Sequence, residues 1–388
     1  MRNRHFFTRR AGAIGLALLA IAAAGCSQNA ANSEETRAAA ETALAAGPEA
    51  LRAAAEGGNA AAQYFLAQDY ESMREVAGNP EQAAYWYGQA AIQGHIQSQN
   101  ALGEAYARGE GVTKDDARAA AWFQRSADQG FAQAQNNLGM AYAEGRGVAQ
   151  DYAEAADLFR RAAEQGDNGG QFNLGAAYAR GQGIGQDYAQ AAEWFHRAAG
   201  QGNSEALYNL GVAYGSGLGV ARDQAQSIAF YRQAADLSNA AAQFNLGVAY
   251  RGGEGVEQDF ATAFDWFRLA AEQGYAPAEY NLGAAFAAGE GIEQDYVQAA
   301  EWFRRAAEHG NTEGQYNLAV LYVQGLGVQS DFVEAHKWLS IAAQLGDADA
   351  AVARDQVGAA LTAEQLADSQ GRAGAWTTAN AQGAPLRR

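Results

Sequence analysis

The chain contains few of the residues that cross-link, stiffen or positively charge a protein. Its 388 residues include one cysteine, four prolines and only two lysines, Lys114 and Lys337. A single cysteine excludes an intramolecular disulfide, so packing alone must hold the fold together. No apolar run reaches the roughly 20 residues that a membrane-spanning helix needs. What is present is abundant alanine and glycine, with a hydrophobic fraction of 48% that suffices for a folded core.

The balance of charge is strongly acidic. The whole chain has 27 basic and 44 acidic side chains, for a net charge of −17. Residues 1–26 contain four arginines and no acidic residue, so the remainder has 23 basic and 44 acidic side chains and a net charge of −21. A surface of this sign repels phosphate backbones, and we therefore expect no nucleic-acid partner. It favours neutral or cationic ligands instead.

Residues 1–26 have the pattern of an export signal. Four arginines precede a 14-residue run from Ala11 to Ala24, which is too short to span a bilayer comfortably. The ending Ala23-Ala24-Gly25-Cys26 resembles a bacterial lipobox, although Ala23 stands where leucine is commoner. The resemblance implies that Cys26 is lipidated and that the exported protein is anchored in the periplasm or at the outer membrane. Two alternatives stay open: an incidental thiol at the end of a signal peptide, and an uncleaved inner-membrane signal anchor.

Several columns of residues recur at intervals of 36 positions. One column consists of Leu102, Leu138, Leu174, Leu210, Leu246, Leu282 and Leu318. A second consists of Tyr106, Tyr142, Tyr178, Tyr214, Tyr250, Phe286 and Tyr322. A fixed period of this length is typical of stacked supersecondary units. It predicts one elongated repeat domain rather than several globular domains.

Each period has the pattern of two helices. In the unit from Gly130 to Gln165, apolar residues at helical spacing predict a first helix that ends at Gly145. A short connection then leads to Asp151, the predicted N-cap of an antiparallel second helix. The predicted capping acids are Asp115, Asp151, Asp187, Asp223, Asp259, Asp295 and Asp331.

The sequence therefore predicts an all-α fold, an α/α superhelical solenoid of about eight 36-residue helix-turn-helix repeats with a C-terminal helical cap. Solenoids need atypical terminal units to close their ends. The expected organisation is a signal peptide over residues 1–26, a tether over 27–47, the solenoid over 48–345, capping helices over 346–376 and a disordered tail over 377–388.

The repeating pattern resembles the Sel1-like repeat family, whose members are relatives of tetratricopeptide repeats. The resemblance rests on Asn137-Leu138-Gly139, Gly145, Gly147-Val148, Asp151, Phe159 and their equivalents in nearly every unit. It implies an α/α superhelix that serves as a protein-interaction scaffold, often in bacterial envelope or signalling settings. It does not specify the partner.

Patterns that would indicate catalysis or a bound metal are missing from the sequence. The recurring Gly-x-Gly pairs follow predicted helices and have no adjoining lysine, so they indicate turns rather than phosphate-binding loops. Neither lysine has a serine three residues before it, which removes the Ser-x-x-Lys arrangement of serine β-lactamases. The five histidines lack metal-binding spacing, and no nucleophile–base pair emerges from the sequence. We therefore expect no enzyme activity, no metal and no cofactor.

Two further columns on the first helices contain the candidate binding residues, because first helices line the concave surface of tetratricopeptide-like solenoids. Tyrosine and phenylalanine are favoured interface anchors. The aromatic column is Phe172, Tyr208, Phe244, Tyr280 and Tyr316, and the amide column is Asn137, Asn173, Asn209, Asn245, Asn281 and Asn317. The alternative is structural: the rings would pack against the first helix of the next unit, and the amides would bond to a neighbouring helix.

The predicted function is a non-catalytic scaffold that holds another envelope protein or peptide in its concave groove. The groove has no lysine, and its basic candidates are Arg108, Arg180 and Arg251. An extended neutral or basic segment is therefore favoured over an acidic C-terminus. Two other functions stay open, a cell-wall glycan-binding module that uses the rings and a β-lactamase-like hydrolase.

Overall fold

The computed structural model describes residues 28–72 and 79–382. Within these ranges every regular element is a helix, which confirms the all-α prediction. None of the described helices is long and apolar enough to cross a bilayer. The chain divides into two compact units, unit 1 over residues 1–187 and unit 2 over residues 188–388. The expected signal peptide with Cys26 and the last six residues of the expected tail lie outside the described ranges.

Unit 1 is a series of helix pairs that stack side by side. Each helix from α4 onward packs on its neighbours in the chain, and α8 also contacts α10, one repeat further on. The helices are α1 (Gln28–Ala31), α2 (Glu34–Ala46), α3 (Pro48–Glu56), α4 (Ala60–Ser72), α5 (Pro80–Ile92), α6 (Ile96–Arg108), α7 (Asp116–Asp128), α8 (Ala132–Glu144), α9 (Tyr152–Glu164) and α10 (Asn168–Arg180).

Unit 2 repeats the arrangement and adds a terminal cap. Here too each helix up to α19 packs on the next, and the last helix, α21, lies against α19. The helices are α11 (Tyr188–Ala199), α12 (Ser204–Ser216), α13 (Gln224–Asp236), α14 (Ala240–Gly252), α15 (Phe260–Glu272), α16 (Ala276–Ala288), α17 (Tyr296–Glu308), α18 (Thr312–Gln324), α19 (Phe332–Gln344), α20 (Ala348–Gly358) and α21 (Ala363–Gln382).

The helix ends follow the capping residues that the sequence predicts. Gly145 adopts a left-handed conformation with φ of 68° at the end of α8, and the Asp151 side chain accepts hydrogen bonds from the backbone N–H groups of Ala153 and Glu154 at the start of α9. The second glycine of the loop has another role. A Cβ on Gly147 would collide with the carbonyl of Asp116 in the preceding repeat. The Gly-x-Gly pair therefore permits both the turn and the close approach of successive repeats.

The recurring leucines form the centre of the core. Leu138 and Leu174 in unit 1 are at most 1% exposed, and Leu210, Leu246, Leu282 and Leu318 in unit 2 are fully buried. Full burial of such a side chain contributes roughly 1.5–3 kcal/mol. Each leucine is followed by a small residue. Where that residue is glycine, the next helix places a ring against it: a Cβ on Gly139 would lie 2.7 Å from Phe159.

Consecutive repeats are also joined by a polar bond that the sequence analysis did not identify. In unit 1 the Nε2 atom of Gln129 donates to Gln99 at 2.7 Å, and Gln165 donates to Gln135 at the same distance. In unit 2, Gln273 donates in the same way to Gln243. One junction uses a carboxylate instead: the fully buried Glu279 pairs with Arg305 at 3.3 Å and lies 2.7 Å from His309 Nδ1. The glutamine pairs satisfy amides that would be costly to bury alone.

Residues 34–46 do not form the expected tether. They form α2, which packs on α3 and α4 and buries Ala40 completely. The Ser33 side chain caps this helix by accepting from the N–H of Thr36 at 3.2 Å. Just before it, Asn32 Nδ2 donates to the carbonyl of Gly94 at 2.9 Å. An alanine-rich segment can extend the stack without repeat residues, because packing requires only a small apolar face.

The C-terminal end also continues further than predicted. A capping box starts α21, with Thr362 and Gln365 bonded reciprocally at 2.9 and 3.2 Å. The helix runs to Gln382, so residues 377–382 are helical rather than disordered. Trp376 lies 6.2 Å from Trp338, and this edge-to-face contact holds the helix on α19.

Candidate functional site

Three cavities open in a row along the first helices of unit 1. Notch 1, of about 420 Å³, lies between α4 and α6 above α5. Notch 2, of about 200 Å³, lies between α6 and α8 above α7, and notch 3, of about 220 Å³, lies between α8 and α10 above α9. Glu104 and Arg108 line both notch 1 and notch 2, and Met140 lines both notch 2 and notch 3. The three cavities therefore adjoin one another.

The floor of each notch repeats with the sequence period. It consists of two adjacent alanines and one aromatic ring from the second helix, namely Ala83, Ala84 and Tyr87, then Ala119, Ala120 and Phe123, then Ala155, Ala156 and Phe159. The alanines leave space above the second helix. In notches 2 and 3 the ring packs under Gly103 and Gly139 of the first helix, and in notch 1 the equivalent small residue is Ala67. The cavities are thus a consequence of the repeat itself.

Two members of the amide column line these notches. Asn137 lies in notch 2, where its Nδ2 atom donates to Asn100 at 3.0 Å, and Asn173 lies in notch 3, where it donates to Asn136 at 2.8 Å. Each amide thus bonds to the preceding first helix, as the structural alternative proposed, and also faces the cavity. The bond through Nδ2 fixes the orientation of each side-chain amide, including its Oδ1 atom.

In unit 2 the amide column bonds locally. Asn209, Asn281 and Asn317 donate to backbone carbonyls of their own helices at 2.7, 2.8 and 2.9 Å. Asn245 differs, because its side chain interacts with Tyr208 and Tyr231 of the preceding repeat. Arg251, a basic candidate, donates to Asn281 at 2.6 Å.

The aromatic column is half-buried rather than freely exposed. Its rings pack on rings of the second helix in the same repeat: Tyr208 on Tyr231 at 6.0 Å, Phe244 on Phe267 at 5.8 Å and Tyr280 on Phe303 at 5.9 Å. Phe244 also packs on Tyr275, the N-cap of the next unit's first helix, at 5.5 Å, as the structural alternative proposed. Phe172 and Tyr316 are also half-buried. Burial raises the pKa of Tyr208 above its ordinary value. These rings stabilise the repeats and offer only part of their surface to a partner.

Notch 1 is the acidic member of the row. The Tyr87 hydroxyl donates to Glu71 at 2.7 Å. Burial first, and then Glu71, raises the pKa of Tyr87 well above its ordinary value, and both also raise that of Tyr64. Arg108 lies 3.4 Å from Glu104, whereas Glu71 forms no ion pair with any residue in the described ranges. The uncompensated carboxylate favours a cationic ligand group.

Glu71 and Glu104 could not be found from the repeat pattern, because the residues at the equivalent positions of the next repeat are different. One repeat later, these positions are Ala107 and Met140. Glu71 and Glu104 could have been identified as polar residues at positions where the next repeat has Ala107 and Met140. Arg108 and Arg180 were identified, and they line notches 1 to 3.

The structure brings together one pair with catalytic atom types that the sequence analysis did not assemble. Ser369 Oγ lies 2.8 Å from His336 Nδ1 in unit 2. The serine side chain is fully buried, so its hydroxyl does not face a substrate. Within the described ranges, no group of three or more histidine, cysteine, aspartate or glutamate side chains is placed to hold a metal ion.

Comparison with known proteins shows which of them the chain resembles. The sequence profile of the Sel1 repeat matches residues 60–95, 96–131, 132–167, 169–203, 204–239, 240–275, 276–311 and 312–347. A Sel1 repeat protein from Oxalobacter formigenes is 28% identical with a TM-score of 0.61, over 88% of this chain and 99% of that one. The protective antigen c5321 of uropathogenic Escherichia coli strains, which displays an SLR fold, is 30% identical with a TM-score of 0.52, over 85% and 94%. No curated protein sequence matches the chain.

Proposed function

Because the chain belongs to the Sel1 repeat family, we propose that it is a non-catalytic scaffold of the bacterial cell envelope that binds an extended protein segment along the notches of unit 1. Solenoids of Sel1 repeats generally mediate protein–protein interactions. The observation that supports this site most directly is that the three notches adjoin one another in a row, where they share the lining residues Glu104, Arg108 and Met140.

The chemistry of the notches supports an extended segment with a basic group near notch 1. Asn137 and Asn173 recur one period apart, so a bound backbone would meet an amide in notch 2 and again in notch 3. Glu71 is not neutralised by a described cation, and it would pair with a lysine or arginine of the partner. A glycan-binding module is less well supported, since the rings that would stack on sugars pack on second-helix rings instead.

The test uses alanine, which the repeat already contains at the equivalent position Ala101. The double variant Asn137→Ala/Asn173→Ala should weaken capture of basic peptides from a library of extended peptides by roughly tenfold or more, because two polar contacts are lost. Glu71→Gln should reduce the selection for lysine and arginine over neutral residues. Binding is measured by fluorescence anisotropy with the selected peptides.

The matched control changes the outer face of the same repeats. Gln124→Ala/Arg160→Ala removes two side chains at equivalent positions of α7 and α9, where their hydrogen bonds are local and exposed. This variant should bind as the unchanged protein does. Equal binding by the notch variant and the control would refute the assignment of the notches.

The proposed location in the envelope rests on residues 1–26 and carries its own test. We expect a clickable fatty-acid analogue to label the protein expressed in a bacterium, and Cys26→Ser to abolish labelling and release the protein from the membrane fraction. A labelled Cys26→Ser variant, or an unlabelled native protein that stays in the membrane, would contradict lipidation and favour the uncleaved signal anchor.

A further inference from the structure

A separate cavity of about 510 Å³ lies in unit 2, where the terminal helices cover the last repeat. Its walls come from three elements: His336 on α19, Arg354 and Gly358 on α20, and Gln370 on α21. This volume lies within the range of small-molecule sites. Position 336 is unusual, because most repeats have alanine there, as at Ala300. A histidine at this place is not explained by the repeat.

The surroundings of His336 determine which ring nitrogen carries its proton. The fully buried Ser369 hydroxyl lies 2.8 Å from Nδ1, and Ser340 Oγ lies 3.4 Å from the same atom. The buried hydroxyl proton of Ser369 needs an acceptor, and Nδ1 is its only hydrogen-bond partner among the described residues. Nδ1 therefore accepts, and the proton of the neutral ring is on Nε2.

The other edge of the ring faces the cavity. A Cβ on Gly358 would lie 3.3 Å from His336 Nε2 and Cδ2, so the missing side chain keeps this edge open. The residue as a whole is only 3% exposed, and Nε2 has no hydrogen-bond partner in the described part of the chain. Burial first, and then Arg354, lowers the pKa of His336, so the ring is a neutral donor near pH 7.

We propose that this cavity binds a carboxylate, which accepts a hydrogen bond from His336 Nε2–H and pairs with the Arg354 guanidinium. Asp355 holds Arg354 through Nε at 2.9 Å and Nη2 at 2.7 Å, which leaves Nη1 for a ligand. Asp355 also lines the cavity, but its side chain is 72% exposed, so water screens its charge more than that of a ligand bound further inside. The ligand is either a small organic acid or the C-terminal carboxylate of a peptide.

The test compares binding of matched acids and amides to the folded full-length protein. Benzoate represents small acids, and N-acetyl-Ala-Ala represents a peptide C-terminus; benzamide and the C-terminally amidated dipeptide are their uncharged counterparts. We expect one of the two acids to bind, and we expect the affinity of its amide counterpart to be lower by roughly tenfold or more. Whichever acid binds identifies the source of the carboxylate.

Two glycine substitutions separate the cavity from general effects on stability. Gly358→Ala should weaken binding of the acid by roughly tenfold or more, since the new Cβ lies against the donor edge of His336. Because alanine favours a helix over glycine by about 1 kcal/mol, this variant should unfold no more easily than the native chain. Gly371→Ala on α21, where a Cβ meets no atom within 4 Å, should bind unchanged.

The position of the proton is measured directly by long-range ¹H–¹⁵N correlation of the His336 ring. The proposal requires the proton on Nε2 and a shift of that nitrogen when the acid binds. A ring protonated on Nδ1, equal binding of acid and amide, no loss of binding in Gly358→Ala, or no binding of either acid would each overturn it.

Discussion

At the scale of single residues, the small residue after each core leucine is explained by the ring that lies against it. A Cβ on Gly247 would lie 2.6 Å from Phe267, and one on Gly283 would lie 2.7 Å from Phe303. In the last repeat the small residue is Ala319, and the residue equivalent to the phenylalanine is Leu339; both are buried. In the last repeat the glycine and the ring therefore change together, since alanine is accommodated where leucine replaces the ring. The first repeat instead combines Ala67 with the ring of Tyr87, and both are buried.

This pairing gives the first prediction. Gly247→Ala should lower the free energy of unfolding by about 1–3 kcal/mol, because the added methyl group overpacks the contact with Phe267. Combining it with Phe267→Leu, which copies the pair of the last repeat, should cost less than the sum of the two single changes. Urea denaturation of all three variants measures this coupling.

The control is Gly88→Ala, at a helical position where a Cβ meets nothing within 4 Å. It should stabilise the protein by roughly 0.5–1 kcal/mol, because alanine is the better helix former. Strict additivity of the Gly247 and Phe267 changes would show that the ring is not what excludes a side chain.

A second prediction concerns pH and His95. This buried histidine caps α6 by accepting the N–H of Ser98 at Nδ1, and burial lowers its pKa to about 4. An unfolded chain, with a histidine pKa near 6.5, binds more protons between these values. The contribution to stability is therefore complete above pH 6.5 and is lost as the pH falls towards 4, by about 3 kcal/mol in total.

His95→Asn should remove this dependence, because asparagine caps the equivalent helices at Asn203, Asn239 and Asn311. Urea denaturation at pH 7 and pH 5 compares the two proteins, and only the difference between them is attributed to His95. A native protein that loses no more stability than the variant between these pH values would contradict the prediction.

How far the sequence identifies site residues depends on whether they follow the period. Asn137 and Asn173 follow the period, so the sequence alone made them candidates. The structure places them in notches 2 and 3. Glu71 occurs once, and its neighbour Tyr87 belongs to another helix, so only the folded arrangement shows their bond. The same holds for His336 and Ser369, which are 33 residues apart in the chain.

At the scale of helices, both ends of most elements could be predicted, because capping is local chemistry. The residues that follow the second helices adopt positive φ. They are glycines except for Ser238, which adopts φ of 61°. The left-handed conformation costs a residue with a Cβ roughly 1–2 kcal/mol. The missing glycine at position 238 is visible in the sequence, and it marks the junction where this strain occurs.

The third prediction is that Ser238→Gly stabilises unit 2. Relief of the left-handed strain should outweigh the larger entropy of glycine in the unfolded chain, for a net gain of roughly 0.5–1 kcal/mol. The mirror-image change Gly274→Ser introduces the same strain at the next junction, where φ is 80°, and should cost a similar amount. Thermal unfolding followed by circular dichroism measures both, and a destabilising Ser238→Gly would refute the argument.

At the scale of the whole molecule, the repeats and the C-terminal helical cap could be predicted, whereas the structure of the N-terminal segment could not. The period fixes every helix pair from residue 60 onward, because each pair repeats the same contacts. Residues 28–46 share no such period, yet Asn32 bonds with residues 62 to 97 positions away, including Gly94 and Gln129. Contacts of that separation cannot be read from composition, so the segment was expected to be a tether.

The fourth prediction follows from nearest-neighbour packing in a repeat array. Deletion of residues 132–167 removes one complete repeat, α8 and α9, and joins α7 to α10. Residues 168–180 are equivalent to 132–144, so the contacts of α7 with a following first helix are restored. The protein should therefore stay folded, with the same helical content per residue and a cooperative thermal transition.

Deletion of residues 132–149 provides the contrast, because it removes only α8 and its loop. This change joins α7 to α9, so two second helices become neighbours and the ring of α9 loses the glycine against which it packs. Unit 1 should then lose helicity and cooperativity, measured by circular dichroism and by hydrogen exchange of α4 to α10. If the shorter deletion is tolerated as well as the longer one, the 36-residue repeat is not the unit of packing.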